Sequence, residues 1–265
     1  MEEITLNSWA EFPGAIQEFR ERYGGDDGRN KLLFRGQAES SWSLSATLER
    51  RVSGRTYSIL DYSILAQKHA AEMRTVSGRN WKTIHGPKLR EFCLDPSLDF
   101  LAQLPSYPFM VYLRQHGFPS PLLDWTRSPL IAAFFAFSQN LSENGDAAIY
   151  CYSEKVTKGY CIGEPVIHLQ GSFVDTHHRH FTQQATYSIC TRWDSSRGHV
   201  FCPHDSVFRA GEDDQDVLYR ILIPRAFRKK VLLSLQEANI NSYTLFQTED
   251  SLISAIATRV FDLEG

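Results

Sequence analysis

The sequence contains no run of 18 consecutive apolar residues, so a membrane-spanning helix is not expected. Its best apolar stretch, Pro129–Phe137, is too short. The N-terminus, MEEITLNSWAEF, carries acids where a secretory leader needs bases. These two absences predict a cytoplasmic protein. Cysteine pairs of the CxxC type are also missing. Cys93, Cys151, Cys161, Cys190 and Cys202 are widely spaced and odd in number, which argues against a disulfide scaffold or a zinc site and for reduced, buried thiols. Excess positive charge is lacking: the formal net charge of −3 gives no global field of the kind that draws a protein onto nucleic acid. No P-loop, GxGxxG, HExxH, GxSxG or EF-hand loop is present, so kinase, Rossmann dehydrogenase, zincin and α/β-hydrolase readings lose their cheapest support. Repeats, low-complexity tracts and Pro/Ser linkers are absent, and a single domain over residues 1–265 is the expectation.

What is present is an ordinary globular composition, 42% hydrophobic and 22% charged, over 265 residues, enough for a sizeable core. Asn7 or Ser8 is a candidate cap, and Trp9, Phe12, Ile16 and Phe19 follow at helical spacing. The glycine- and aspartate-rich segment 24–28 predicts a loop, and KLLFRG at 31–36 a short strand. Helical pattern covers about 58–74 and 109–116, separated by a poorly periodic stretch, 77–105. LLDW at 122–125 is a short strand or turn. Ser128-Pro129 is a strong helix start, with serine at the cap and proline in the first turn. Strands are expected at 146–152, 165–169, 185–190 and 216–223, with helices at about 225–239 and 249–259. Strands and helices are mixed without regular βαβ alternation, which predicts an α+β fold with a mixed sheet and flanking helices.

The chemistry-bearing residues are polar groups embedded in apolar runs. Arg35, in Phe34-Arg35-Gly36-Gln37, is costly to bury alone. It either pairs with a core acid or holds a phosphate or carboxylate in bidentate fashion. Gly36 beside it would let a ligand approach the backbone. Asp124 lies between apolar residues just before a helix start, where it either caps or pairs structurally, or serves as an acid in a cleft. His116 is a capping or core histidine, or a base. His177-His178-Arg179-His180 offers three imidazoles in four residues, but sequence neighbours rarely face one ion, and a polar loop is expected rather than a metal site. Arg225, Arg228, Lys229 and Lys230 form a basic run that suits a solvated helix face.

These pieces together resemble the FRG domain family, named for its Phe-Arg-Gly motif. The resemblance starts at SWAEF (8–12) and runs through Phe34-Arg35-Gly36-Gln37, Trp42, Leu44 and Arg50 or Arg51. It peaks at Gln115-His116-Gly117-Phe118-Pro119 and at Leu122-Leu123-Asp124-Trp125-Thr126 with Ser128-Pro129. It ends with Ile223-Pro224, Leu245-Phe246 and the last helix, so that core motifs lie at about 5–140 and a C-terminal strand and helices at about 141–265. Ser120-Pro121 stands where the family usually has Thr-Arg, and one basic residue is thereby missing.

A more distant likeness to ADP-ribosyltransferases implies more. That family places Arg-Gly on an early strand, a strand–Ser–helix segment later, and a Glu near the acceptor. The likeness implies an ADP-ribosyltransferase-like fold and NAD as substrate, without metal. It implies catalytic roles for Arg35, Asp124 and Glu249. It also implies that Gly36, Gln37, Trp42, Gln115, His116, Trp125, Ser128 and Gln183 contact NAD. Cleaving the nicotinamide–ribose bond passes through an oxocarbenium-like state. That needs a cation for the pyrophosphate, an aromatic wall and a carboxylate near the ribose. Arg35, Trp125 or Trp42, and Asp124 are residues of those types. Glu249 is the nearest late acid, though its surroundings do not match a transferase glutamate, and Gln183-Gln184 resembles the acceptor loop without its Glu. The implied acceptor is a macromolecule, protein or RNA. The implied setting is a bacterial toxin or anti-phage effector with an antitoxin or regulatory partner. The alternative is a non-catalytic ligand-sensing or interaction module, in which Arg35 and Asp124 form a buried pair.

Overall fold

A strand not anticipated from the sequence opens the structure: β1, Glu2–Thr5, whose lone apolar residue Ile4 gives no alternation to detect. The computed structural model describes residues 2–24, 31–52, 54–96, 104–155, 163–171, 174, 177–208 and 216–264. Most of the expected loop at 24–28, and Cys161, lie outside the described residues.

After a 3-10 turn at Trp9–Glu11, α1 spans Phe12–Tyr23 and β2 spans Lys31–Gln37. Five helices follow: α2 (Thr47–Arg51), α3 (Ile59–Lys68), α4 (Ala70–Ser77), α5 (Gly86–Cys93) and α6 (Tyr107–Gln115). Helix α5 falls inside the stretch expected to be irregular, because only Leu89 and Cys93 are buried along it and the apolar signal is thin. Next come β3 (Leu123–Thr126), α7 (Pro129–Phe137), β4 (Asp146–Glu154) and β5 (Val166–Gln170). They are followed by α8 (Arg179–Thr182), β6 (Ala185–Asp194), β7 (Gly198–Phe201) and β8 (Val217–Pro224). The chain closes with α9 (Arg228–Glu237), α10 (Ser242–Phe246), α11 (Glu249–Ala257) and a π-helical turn at Thr258–Leu263. Ser128 starts α7 as its sequence predicts, its hydroxyl accepting from the Ile131 amide at 3.3 Å.

The strands form one mixed sheet in the order β1-β8-β4-β2-β3-β6-β5, with β7 on β6. The β1–β8 pair is parallel and the other described pairs are antiparallel. The protein is thus α+β with a mixed open sheet and helices.

Alternation along β4 divides the core. Ala147, Ile149 and Cys151 join Phe12, Ile16 and Phe19 of α1, Phe34, and the α7 residues Ala132, Ala133 and Phe137. Ala148, Tyr150 and Tyr152 face the other way, into a cluster with Leu33, Leu44, Trp125 and Leu218. A third cluster packs α3, α5 and α6 around Tyr187 and Ile189 of β6. Cys93, Cys151, Cys190 and Cys202 are buried free thiols. Among the described residues no helix is long and apolar enough to cross a membrane.

Candidate functional site

Strands β2 and β3 share a single paired position, Phe34 opposite Thr126. Beyond it the antiparallel register would bring Arg35 against Trp125 and Gly36 against Asp124, but no pairing follows. On its other edge β2 stays paired with β4 along its whole length, Lys31 to Gln37. The sheet therefore opens as a wedge between β2 and β3, and a cavity of about 710 Å³ occupies it. Its walls come from Arg35, Gly36 and Gln37 on β2 and from Asp124, Trp125 and Thr126 on β3. Helix α6 adds Arg114 and Gln115, and Phe135 and Gln139 come from α7 and its end. Trp42 and Arg50, with Arg179, Gln183 and Phe246, complete the rim.

The sequence places Arg35 and Asp124 in one cleft, and the structure does too, but not as the buried pair of the alternative reading. Arg35 Nη1 donates to the main-chain oxygen of Asp124 at 2.8 Å. The Asp124 carboxylate is held by Arg114 instead, Nη2 to Oδ2 at 2.5 Å. Arg114 is the principal residue that sequence reasoning missed. Its signal was legible: a lone guanidinium ending the apolar run Phe109 to Leu113, all of which is buried.

Arg35, Arg50, Arg114 and Arg179 surround the cavity, and among the described residues Asp124 is the one carboxylate lining it. Burial pushes the Arg35 guanidinium down to about 10, with Arg114 and Arg50 adding to the shift and Asp124 opposing it. Arg35 therefore stays charged at neutral pH. Arg50 is also shifted down, by burial first and then by Arg114.

Several buried polar atoms here have no hydrogen-bond partner among the described residues: Nε of Arg35, Arg114 and Arg179, Gln37 Oε1 and Asp124 Oδ1. Buried polar groups are normally satisfied, so orphaned donors around an open cavity fit an anionic ligand.

The remaining sequence-predicted residues divide. Gln37 lines the cavity while its Nε2 donates to the Ser43 carbonyl at 3.3 Å. Gln115 also lines it, its Nε2 donating to the Tyr187 hydroxyl at 2.7 Å. Gln183 is on the rim and donates to the Leu245 carbonyl at 3.3 Å. Trp125 is only 2% exposed, and its indole is held in the core against the Tyr152 ring, with Nε1 donating to Ser188 Oγ at 2.7 Å. Trp42, 46% exposed, is the tryptophan whose ring surface is free at the mouth.

Gly36 is a glycine for a reason the sequence did not disclose. A Cβ there would lie 1.9 Å from the Ala132 carbonyl oxygen, so the absent side chain admits the backbone of α7 rather than a ligand. His116, Ser128 and Glu249 are not among the residues lining the cavity. His116 is exposed at the end of α6, Ser128 caps α7, and Glu249 is exposed in the first turn of α11. No cluster of three or more His, Cys, Asp or Glu side chains suited to a metal exists among the described residues.

Residues 30–145 match the FRG domain family. That segment is similar to the FRG domain. The matched segment contains β2, α6, β3 and α7, and with them Arg35, Arg50, Arg114 and Asp124. Arg179 and Phe246, which close the cleft, come from beyond it. In this segment the Phe-Arg-Gly triplet has three separate jobs. Phe34 fills the core, Arg35 bridges the wedge, and Gly36 admits α7. No curated protein and no solved structure matches the chain. The likeness to ADP-ribosyltransferases thus rests on the sequence motifs.

Proposed function

We propose that the cleft binds NAD and that the protein transfers ADP-ribose from it to a macromolecular acceptor, protein or RNA, in the cytoplasm. The observation that carries this reading is the set of four guanidiniums around one carboxylate in the wedge between β2 and β3. Arg35 and Arg114 each retain an unbonded Nε, and a pyrophosphate supplies acceptors for such donors. Trp42, Phe135 and Phe246 offer ring surface for a base or for nicotinamide. In the reaction the ribose C1′–N bond breaks and neutral nicotinamide leaves with the bonding electrons. A lone pair of the acceptor then bonds C1′, and the acceptor's proton passes to solvent. Positive charge builds on the ribose in the transition state, and Asp124 is the cavity carboxylate available to stabilise it.

A second reading, ligand sensing without catalysis, is favoured by the Arg114 ion pair, which already occupies Asp124 Oδ2, and by the position of Glu249 outside the cleft. Melting curves with and without NAD, together with a nicotinamide-release assay, separate the two. Transfer predicts a rise in Tm with NAD and release that Asp124→Asn lowers by orders of magnitude. Sensing predicts the rise without the release. Absence of both removes NAD. Mass-shift analysis of cellular protein and RNA identifies the acceptor. As a toxin or anti-phage effector, the protein would arrest growth on expression, and Arg35→Ala would relieve the arrest. An antitoxin would act on the same cleft or its mouth.

A further inference from the structure

A ladder of rings lies outside the cavity lining, joined to the cleft through Arg179 and Phe246, and has no part in the chemistry above. Tyr112 and His116, both on or next to the last turn of α6, have ring centroids 4.3 Å apart. His116 is 5.8 Å from His177, and His177 is 4.0 Å from His178. Cations bracket the ladder. The Arg79 guanidinium lies 5.6 Å from the centroid of the Tyr112 ring. At the other end Arg179 lies over Phe246 at 5.5 Å, and both of these residues line the cleft. His178 Nε2 is 3.2 Å from the Phe246 carbonyl, which ties the ladder to α10. Arg79, His116 and His178 are exposed.

The charges acting on this ridge have one sign. His116 is shifted down by burial first and then by Arg179 and Arg79. His177 is pushed down to about 4, by burial first and then by His178, Arg179, His116 and Arg79. Both shifts leave these imidazoles neutral at pH 7, so the positive charge of the ridge comes from Arg79 and Arg179 at its two ends.

We propose that the Arg79–His116–His177–His178–Arg179 ridge docks a single-stranded polynucleotide and leads it to the cleft. The proposal rests on the transferase reading and names its acceptor as nucleic acid rather than protein. A cation at each end of a row of rings suits a strand whose phosphates need neutralising and whose unpaired bases can stack. An acidic peptide would satisfy the cations and leave the rings unused. A duplex keeps its bases stacked within itself and would also leave them unused.

The test is fluorescence anisotropy with labelled oligonucleotides of one sequence, as single-stranded RNA and single-stranded DNA, without NAD. Oligoglutamate serves as competitor. Wild-type protein is expected to bind and to lose affinity steeply between about 50 and 200 mM salt. Arg79→Glu and His178→Ala should each weaken binding about tenfold or more while Tm and acceptor-free nicotinamide release stay unchanged. The tighter of the RNA and DNA arms identifies the strand. Failure of wild type to bind, variants that bind as wild type does, or equal displacement by oligoglutamate overturns the proposal. Binding without nicotinamide release under any condition removes the transferase reading alone. Release without binding removes the docking ridge alone.

Discussion

Arg114 reaches from α6 across the cleft to Asp124 on β3, Nη2 to Oδ2 at 2.5 Å, with the Asp124 side chain still 36% exposed. The pair lies between the surface and buried limits, so its two members should not be separable without cost. Removing Arg114 leaves a half-desolvated carboxylate beside Arg35, and removing Asp124 leaves three mutually repelling guanidiniums, Arg35, Arg50 and Arg114. Arg114→Met and Asp124→Asn are each expected to cost about 1–3 kcal/mol, and the double variant less than the sum. Urea unfolding of the four proteins checks it, and strict additivity would show the contact to be energetically idle.

Gly36→Ala should be among the most damaging small substitutions in the chain. The new methyl would overlap the Ala132 carbonyl and sit 2.7 Å from the Ala136 amide, both backbone atoms of a buried helix. Since neither can give without shifting α7, a loss of about 3 kcal/mol is expected. Ala at Gly117, where φ is +83° and nothing crowds the site, should cost less, limited to the strain of a left-handed residue. Thermal melting of the two variants compares steric overlap with backbone strain directly, and a Gly36→Ala protein as stable as wild type would refute the packing account.

Periodicity made the sheet and the main helices legible, since β2, β4, β8 and α7 carry dense apolar runs bounded by clear stops. Elements with one or two buried residues, β1 and α5, left too little signal. The cleft was half legible. Arg35 and Asp124 stood out as charges inside apolar runs, but which cation would hold Asp124 depended on how the turn after α6 brings Arg114 back to β3, which side-chain patterning does not encode. The wedge itself is written in pairing that does not occur between β2 and β3, and absent pairing has no sequence signature. Trp125 lines the cavity while its indole is held in the core. Strand alternation puts it on the face with Leu123, in the core, and Trp42 from a loop takes the exposed place.

Arg35→Lys tests geometry at constant charge. Arginine spans the wedge with one Nη on the Asp124 carbonyl and keeps Nε for a ligand. Lysine has a single ammonium and cannot do both. NAD affinity is expected to drop about tenfold or more, whereas Arg51→Lys, in a residue outside the cavity lining, should change nothing. Isothermal titration with NAD reads the difference. Equal affinities for wild type and Arg35→Lys would remove the bidentate role.

His204 gives the fold a predictable acid sensitivity. The residue is fully buried, and its Nε2 lies 2.8 Å from Ser188 Oγ. Ser188 Oγ accepts from Trp125 Nε1, and which of Ser188 Oγ and His204 Nε2 donates to the other depends on the imidazole tautomer. Burial pushes its pKa down to about 3, and the nearby Arg35 charge adds to the shift. The unfolded chain takes up this proton below the ordinary histidine value of about 6.5, and the folded protein does not until about 3. The unfolded state therefore binds more protons throughout that window, and stability must fall as pH drops through it. The contribution of this one group should reach about 3 kcal/mol by pH 4. His116, His177 and His199 are shifted in the same direction and steepen the total slope. The informative quantity is therefore the difference between wild type and His204→Gln, whose amide can still hydrogen-bond Ser188. Tm measured from pH 7 to pH 4 should fall less steeply in His204→Gln, with the two curves converging at the acid end. Parallel curves would mean that His204 is protonated in the folded protein across this pH range.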